Sequence, residues 1–167
     1  LYFGGIDGFT IFCPDQELAT PGLPYRPVFT TLRLYGEKVN TGERYGNRII
    51  LPQAAPYTTK IELDYNQNFL TFECSALNYV NSERTYYRYQ LEGIDKQWMN
   101  AFASGQGNAT VGNGILQASY TNLPPGEYTF KVAASDNLLQ WNENITKIQV
   151  TIHAPWWKTT TAYVLYT

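Results

Sequence analysis

Residues 120–136 (YTNLPPGEYTFKVAASD) constrain the fold more than any other stretch, because they specify a turn, a strand and the strand's sidedness together. Pro125 and Gly126 suit the two central positions of a type II turn, since proline presets φ and glycine accepts the positive φ that follows. A strand is therefore expected from Glu127. Tyr128, Phe130, Val132 and Ala134 alternate with Glu127, Thr129, Lys131 and Ala133, as when one sheet face is buried and the other is wet. Tyr128 falls on the buried face. Its place just after Leu-Pro-Pro-Gly fits two roles. One is the corner of an immunoglobulin-like sandwich, whose hydroxyl bonds back to the backbone a few residues upstream. The other is an ordinary core tyrosine with a hydrated hydroxyl.

The same alternation recurs along the chain. Residues 28–35 read as a strand with Val28, Thr30, Leu32 and Leu34 on one face and Phe29, Thr31, Arg33 and Tyr35 on the other. Ile61, Leu63 and Tyr65 alternate, as do Leu70, Phe72 and Cys74, then Tyr87, Tyr89 and Leu91, and lastly Ile148, Val150 and Ile152. Arg88 and Gln90 point away from the Tyr87 face. Trp98 follows a turn at residues 93–97, where a sandwich often plugs its core with an indole. The glycine-rich residues 100–117 are expected to be a mobile exposed loop. Residues 1–15 read as a hairpin around Gly-Ile-Asp-Gly, and Pro21, Pro24 and Pro27 make the next stretch an extended connection. No convincing amphipathic helix is present. Many short alternating strands separated by turn signals predict an all-β, antiparallel, immunoglobulin/fibronectin-III-like sandwich. The 14 tyrosines, 8 phenylalanines and 4 tryptophans favour strands as well.

Little in the sequence could converge into chemistry. A formal charge of −2 and the absence of a basic run argue against nucleic acid. His153 is the chain's one histidine, which leaves a Ser-His-Asp arrangement dependent on a single imidazole. Cys13 and Cys74 lie far apart in dissimilar settings, and Cys74 reads as a small buried hydrophobe. Gly4, Gly5 and Gly8 precede no helix, so no phosphate loop is formed. Glu92, Asp95 and Asp136 sit at turns and strand ends. No catalytic, cofactor or metal residue is expected, and the fragment is not expected to be an enzyme. Residues 155–167 (PWWKTTTAYVLYT) have the composition of a membrane interface but are too short to span one, which takes about 20 apolar residues.

From residue 68 onward the chain resembles the triple-tyrosine (YYY) domain of bacterial hybrid two-component sensor proteins. The pattern is carried by FECSALNY at 72–79, YRYQLEGIDKQW at 87–98, YTNLPPGEYTFKVAA at 120–134, Trp141-Asn142, and PWWKT at 155–159. Its signature positions here are Tyr87, Tyr89, Trp98, Tyr120, Pro125, Gly126 and Tyr128. The resemblance implies a remnant of the last propeller repeat with its linker at 1–24, a sandwich at 25–154, and a juxtamembrane segment at 155–167 leading to a membrane helix. Trp156, Trp157 and Lys158 would couple the domain to that helix. It further implies a periplasmic relay within an inner-membrane sensor histidine kinase, carrying oligosaccharide sensing from an N-terminal propeller to the membrane, with a homodimeric receptor as its setting. Residues 159–161, threonines where members often carry aromatics, depart from the pattern. The alternative is a carbohydrate-binding module of an extracellular glycosidase, with Tyr86, Trp98 or Trp141 stacking on sugar rings.

Overall fold

The computed structural model describes residues 2–5 and 8–11 by their backbone, and residues 25–78, 85–101, 107–135, 141 and 143–155 with side chains. Trp156, Trp157, Lys158, Cys13, Tyr79 and Asp136 lie outside the described residues. In chain order the strands are β1 (Tyr2–Gly5), β2 (Gly8–Ile11), β3 (Val28–Leu34), β4 (Glu37–Lys38), β5 (Arg44–Tyr45), β6 (Arg48–Ile49) and β7 (Lys60–Leu63). They continue as β8 (Leu70–Ser75), β9 (Tyr86–Glu92), β10 (Met99–Ala101), β11 (Ala109–Gly112), β12 (Ile115–Tyr120), β13 (Gly126–Ser135) and β14 (Thr146–Ile152).

Two five-stranded sheets face each other, ordered β10-β9-β13-β14-β7 and β11-β12-β8-β3-β4. Within them, β3-β8-β12-β11 and β9-β13-β14 reproduce the ABED and CFG orders of an immunoglobulin sandwich. The pairing of β7 with β14 is parallel, an exception to the antiparallel expectation. These strands are far apart in sequence, so no tight turn dictates their direction. β1 and β2 pair as a separate antiparallel hairpin, in line with the reading of residues 1–15.

Alternation places the expected core residues. Tyr87, Tyr89, Leu91, Phe130, Val132, Leu70, Phe72, Cys74, Ile148, Val150 and Ile152 are all buried. At the centre, the Phe72 and Phe130 rings stack with centroids 4.3 Å apart and planes 8° from parallel. Tyr120 meets both of them edge-on at 6.3 Å. Phe130 stands two residues after Tyr128, where antibody domains place the second cysteine of their inter-sheet disulfide. Here a ring stack joins the β8 and β13 strands in its stead.

Three local expectations are corrected. In β3 the register slips between Phe29 and Thr31, which pair with Cys74 and Glu73. Thr30 is the additional residue of a β-bulge, and its hydroxyl donates to the Glu73 carbonyl at 3.1 Å. The bulge turns Phe29 inward with Leu32 and Leu34, whereas strict alternation had put Phe29 outside. Of the stretch expected to be a mobile loop, residues 100–117, most of the described residues are strand. Asn113 and Gly114 have φ of 52° and 73°, the two left-handed residues of a type I′ hairpin turn between β11 and β12. Lastly, Gly126 is not among the residues with positive φ and begins β13 itself. It is needed for space, since a Cβ there would lie 3.2 Å from the Tyr128 hydroxyl oxygen.

Candidate functional site

Tyr128 adopts the corner arrangement, its hydroxyl donating to the Pro124 carbonyl at 2.7 Å. The ring is enclosed by glycines on two sides. Gly93 has φ +100°, and a Cβ there would stand only 2.8 Å from the Tyr128 Cδ1. Pro125 is exposed on the turn that this bond closes.

The other signature tyrosines fasten one sheet to the other. Tyr87, on β9, donates to the Gly114 carbonyl at 2.5 Å and accepts from the Ala76 amide at 2.8 Å, both belonging to the opposite sheet's turns and strand ends. Tyr89 donates to the Asn108 Oδ1 at 2.6 Å, just before β11. Tyr120 reaches the other way, from β12 to Asp95 Oδ2 at 2.6 Å, and that same oxygen accepts the Leu91 amide at 2.7 Å. Burial pushes the Tyr87 phenol up to about 12. Burial, followed by the neighbouring Asp95 carboxylate, holds Tyr120 and Tyr89 above their ordinary range. Each phenol thus stays protonated at neutral pH and spends its proton on a cross-sheet bond, the arrangement of a mechanical seam rather than of an acid or base awaiting substrate.

Trp98 is not the expected core plug. It is half-buried on the outer face of the β9 sheet, where the Arg88 guanidinium carbon lies 4.8 Å from the Trp98 ring and 4.8 Å from the Trp141 ring. The core space is taken by Tyr87, Tyr89 and the Phe72–Phe130 stack, which alternation directs inward. On the same face Lys131 pairs with Glu92. His153 lies at the far end, its Nε2 3.3 Å from the Glu62 Oε2, while Glu62 also pairs with Lys60 and Arg48. Among the described residues, no group of three or more His, Cys, Asp or Glu side chains could hold a metal ion.

Sequence reasoning singled out the tyrosines but missed their partners. Asp95 was read as a turn residue, and Asn108 fell in the stretch expected to be a loop. Nothing local marks a partner contributed by another strand. The Asn113-Gly114 pair did carry a readable hairpin signal. The clamp of Arg88 by Trp98 and Trp141 had none, because its members come from three separate segments.

Residues 78–153 match the Y_Y_Y domain family. Histidine kinase P4 of Formosa agariphila is 30% identical over 165 residues, which cover 99% of this chain and 11% of that protein. Among solved structures, one described as the extracellular domain of the hybrid two component system BT4673 of B. thetaiotaomicron is 29% identical with a TM-score of 0.65, covering 93% of this chain and 19% of that one. The corresponding domain of BT3049 from the same organism is 26% identical with a TM-score of 0.58, over 92% and 18% of the two chains. The chain therefore spans under a fifth of each of these relatives. Sequence and fold agree that residues 78–153 of this chain are a Y_Y_Y domain, set in a sandwich like those of hybrid two-component systems' extracellular regions.

Proposed function

We propose that this chain is the membrane-proximal extracytoplasmic part of a hybrid two-component sensor histidine kinase, periplasmic in location, and that it relays rather than catalyses. An N-terminal propeller in the same polypeptide would sense an oligosaccharide. The sandwich would pass the resulting displacement to residues 155–167 and the adjacent membrane, within a homodimeric receptor. The observation that carries the reading is the similarity to histidine kinase P4 along 99% of this chain. The architecture suits the task. Three phenols and a ring stack join the two sheets, so a displacement applied at one end is carried as a rigid-body motion instead of being absorbed by sliding between sheets.

In the carbohydrate-module alternative, Trp98 and Trp141 would have only the ring faces not turned to Arg88 to offer a sugar. The relay reading is tested by replacing Trp156 and Trp157 together with alanine in the full-length receptor. Ligand-dependent phosphorylation should fall to its unliganded level while ligand binding is retained. Normal signalling by that variant would refute the coupling role given to the pair.

A further inference from the structure

The Trp98–Arg88–Trp141 stack has a feature that packing alone leaves unsatisfied. Two indoles each approach the guanidinium carbon to 4.8 Å, and the Arg88 Nε is shielded from solvent without a hydrogen-bond partner. The ion pairs of the described residues, such as Arg33–Glu73, Arg48–Asp64 and Lys131–Glu92, leave Arg88 out. Burial lowers its pKa, which registers the cost of holding this cation partly dry. Opposite Arg88 on β13, Ala133 is fully buried although alternation puts its side chain on the outer face. With its Nε shielded, such a guanidinium can still recognise through its terminal Nη edge, whose N–H groups match a carboxylate.

The location indicates which carboxylate. Arg88 pairs across to Ala133, while the neighbouring Val132 pairs with Thr146 at the start of β14. The Thr146 hydroxyl donates to the Pro27 carbonyl, where the chain enters the sandwich. Arg88 is therefore two strand spacings, about 10 Å, from the strand that receives the incoming chain. β14 leaves the sandwich at Ile152, about 20 Å away at the opposite end, six residues further along the strand. The clamp is thus toward the end of the sandwich at which Pro27 lies, opposite Ile152.

We propose that the free edge of Arg88, held between Trp98 and Trp141, binds an aspartate or glutamate carboxylate on the domain preceding residue 25 in the parent receptor. This rests on the relay reading and names the point at which movement enters the sandwich. The stacking fixes the guanidinium plane, so the carboxylate is met in one orientation and a small shift of the preceding domain is transmitted instead of being lost in side-chain motion.

The test has two parts. In the full-length receptor, Arg88→Lys keeps the charge but removes the fork and the stacking plane. It should raise the ligand concentration for half-maximal phosphorylation by about 10- to 100-fold, the value of a charge-assisted hydrogen bond expressed as a ratio. An unchanged response in Arg88→Lys, with the Trp156/Trp157 double variant uncoupled, overturns the clamp proposal and leaves the relay intact. If both variants signal normally, the relay falls too. Because Arg88→Lys could loosen the fold, the unmodified 167-residue chain is also titrated with sodium glutamate, acetamide and oligoglucuronate at fixed ionic strength. The indole N–H signals of Trp98 and Trp141 are followed by NMR. Shifts with glutamate but not acetamide support the site. No shift with glutamate overturns it, and saturation by oligoglucuronate at lower concentration than glutamate overturns the protein partner in favour of an acidic sugar.

Discussion

Replacing Gly93 by alanine tests the corner most directly, because two penalties of different origin meet at that residue. The backbone penalty comes from φ +100°, a region that residues with a Cβ rarely adopt and that costs about 1–3 kcal/mol. The steric penalty comes from the Tyr128 ring, whose Cδ1 would be 2.8 Å from the new Cβ, against a normal carbon–carbon separation of about 3.5–4.0 Å. The ring cannot simply rotate away. Its hydroxyl is held 2.7 Å from the Pro124 carbonyl, a bond worth about 1 kcal/mol, and Gly126 flanks its other side. Together these predict a loss of about 3 kcal/mol, or a fall in melting temperature of about 10 °C for a domain of this size. Urea unfolding measures the first and circular dichroism the second. A double-mutant cycle with Tyr128→Val, which deletes Cδ1 while keeping a strand-favouring side chain, should recover about 1–2 kcal/mol of the Gly93→Ala penalty. A penalty identical in both backgrounds would show that Tyr128 is not what the glycine accommodates. A Gly93→Ala variant as stable as wild type would refute the whole account of the corner.

Asp95 gathers the Tyr120 hydroxyl and the Leu91 amide on one oxygen, so Asp95→Ala should cost about 2–4 kcal/mol in urea unfolding, and more than Tyr120→Phe, which leaves the Leu91 amide its acceptor. Equal costs would mean the amide bond adds nothing. Alkali should unfold the domain within a defined window. The Tyr87 phenol is raised to about 12 in the folded state, whereas a free phenol ionises near pH 10. Its contribution is fully present below about pH 10 and is lost as the pH rises through about 12. Circular dichroism across that range should show Tyr87→Phe losing less stability than wild type, and parallel curves would refute the assignment. Cys74 is fully buried and its thiol is held protonated by burial. Peptide mapping after iodoacetamide should therefore find it alkylated only as fast as the protein globally unfolds, and rapid labelling under native conditions would contradict its placement.

How much of this was legible in the sequence follows from the range of each interaction. The inward faces of β8, β9, β13 and β14 could be read because period-two alternation is a local property of an extended backbone. The same rule failed in β3, since a bulge depends on how two strands register against each other and Thr30 carries no mark of being the extra residue. Gly126 was correctly singled out for the wrong reason. The residue type shows that a Cβ is not tolerated, but positive φ and close approach of a ring both lead to glycine, and only the position of Tyr128 separates them.

The candidate site divides in the same way. The sequence by itself determined an all-β sandwich, the inward-facing tyrosines of its strands and the turn that precedes Tyr128, since each follows from periodicity or turn chemistry within a few residues, whereas the corner bond of Tyr128 to Pro124 was settled by the structure. Only the tertiary structure decided that Tyr87, Tyr89 and Tyr120 tie the two sheets through Gly114, Asn108 and Asp95, and that Trp98 leaves the core to clamp Arg88 with Trp141. Partners 10 to 53 positions apart meet because strand pairing folds the chain back on itself. Hydrogen bonds and ring contacts of a few ångströms depend on that final approach, which no local pattern encodes.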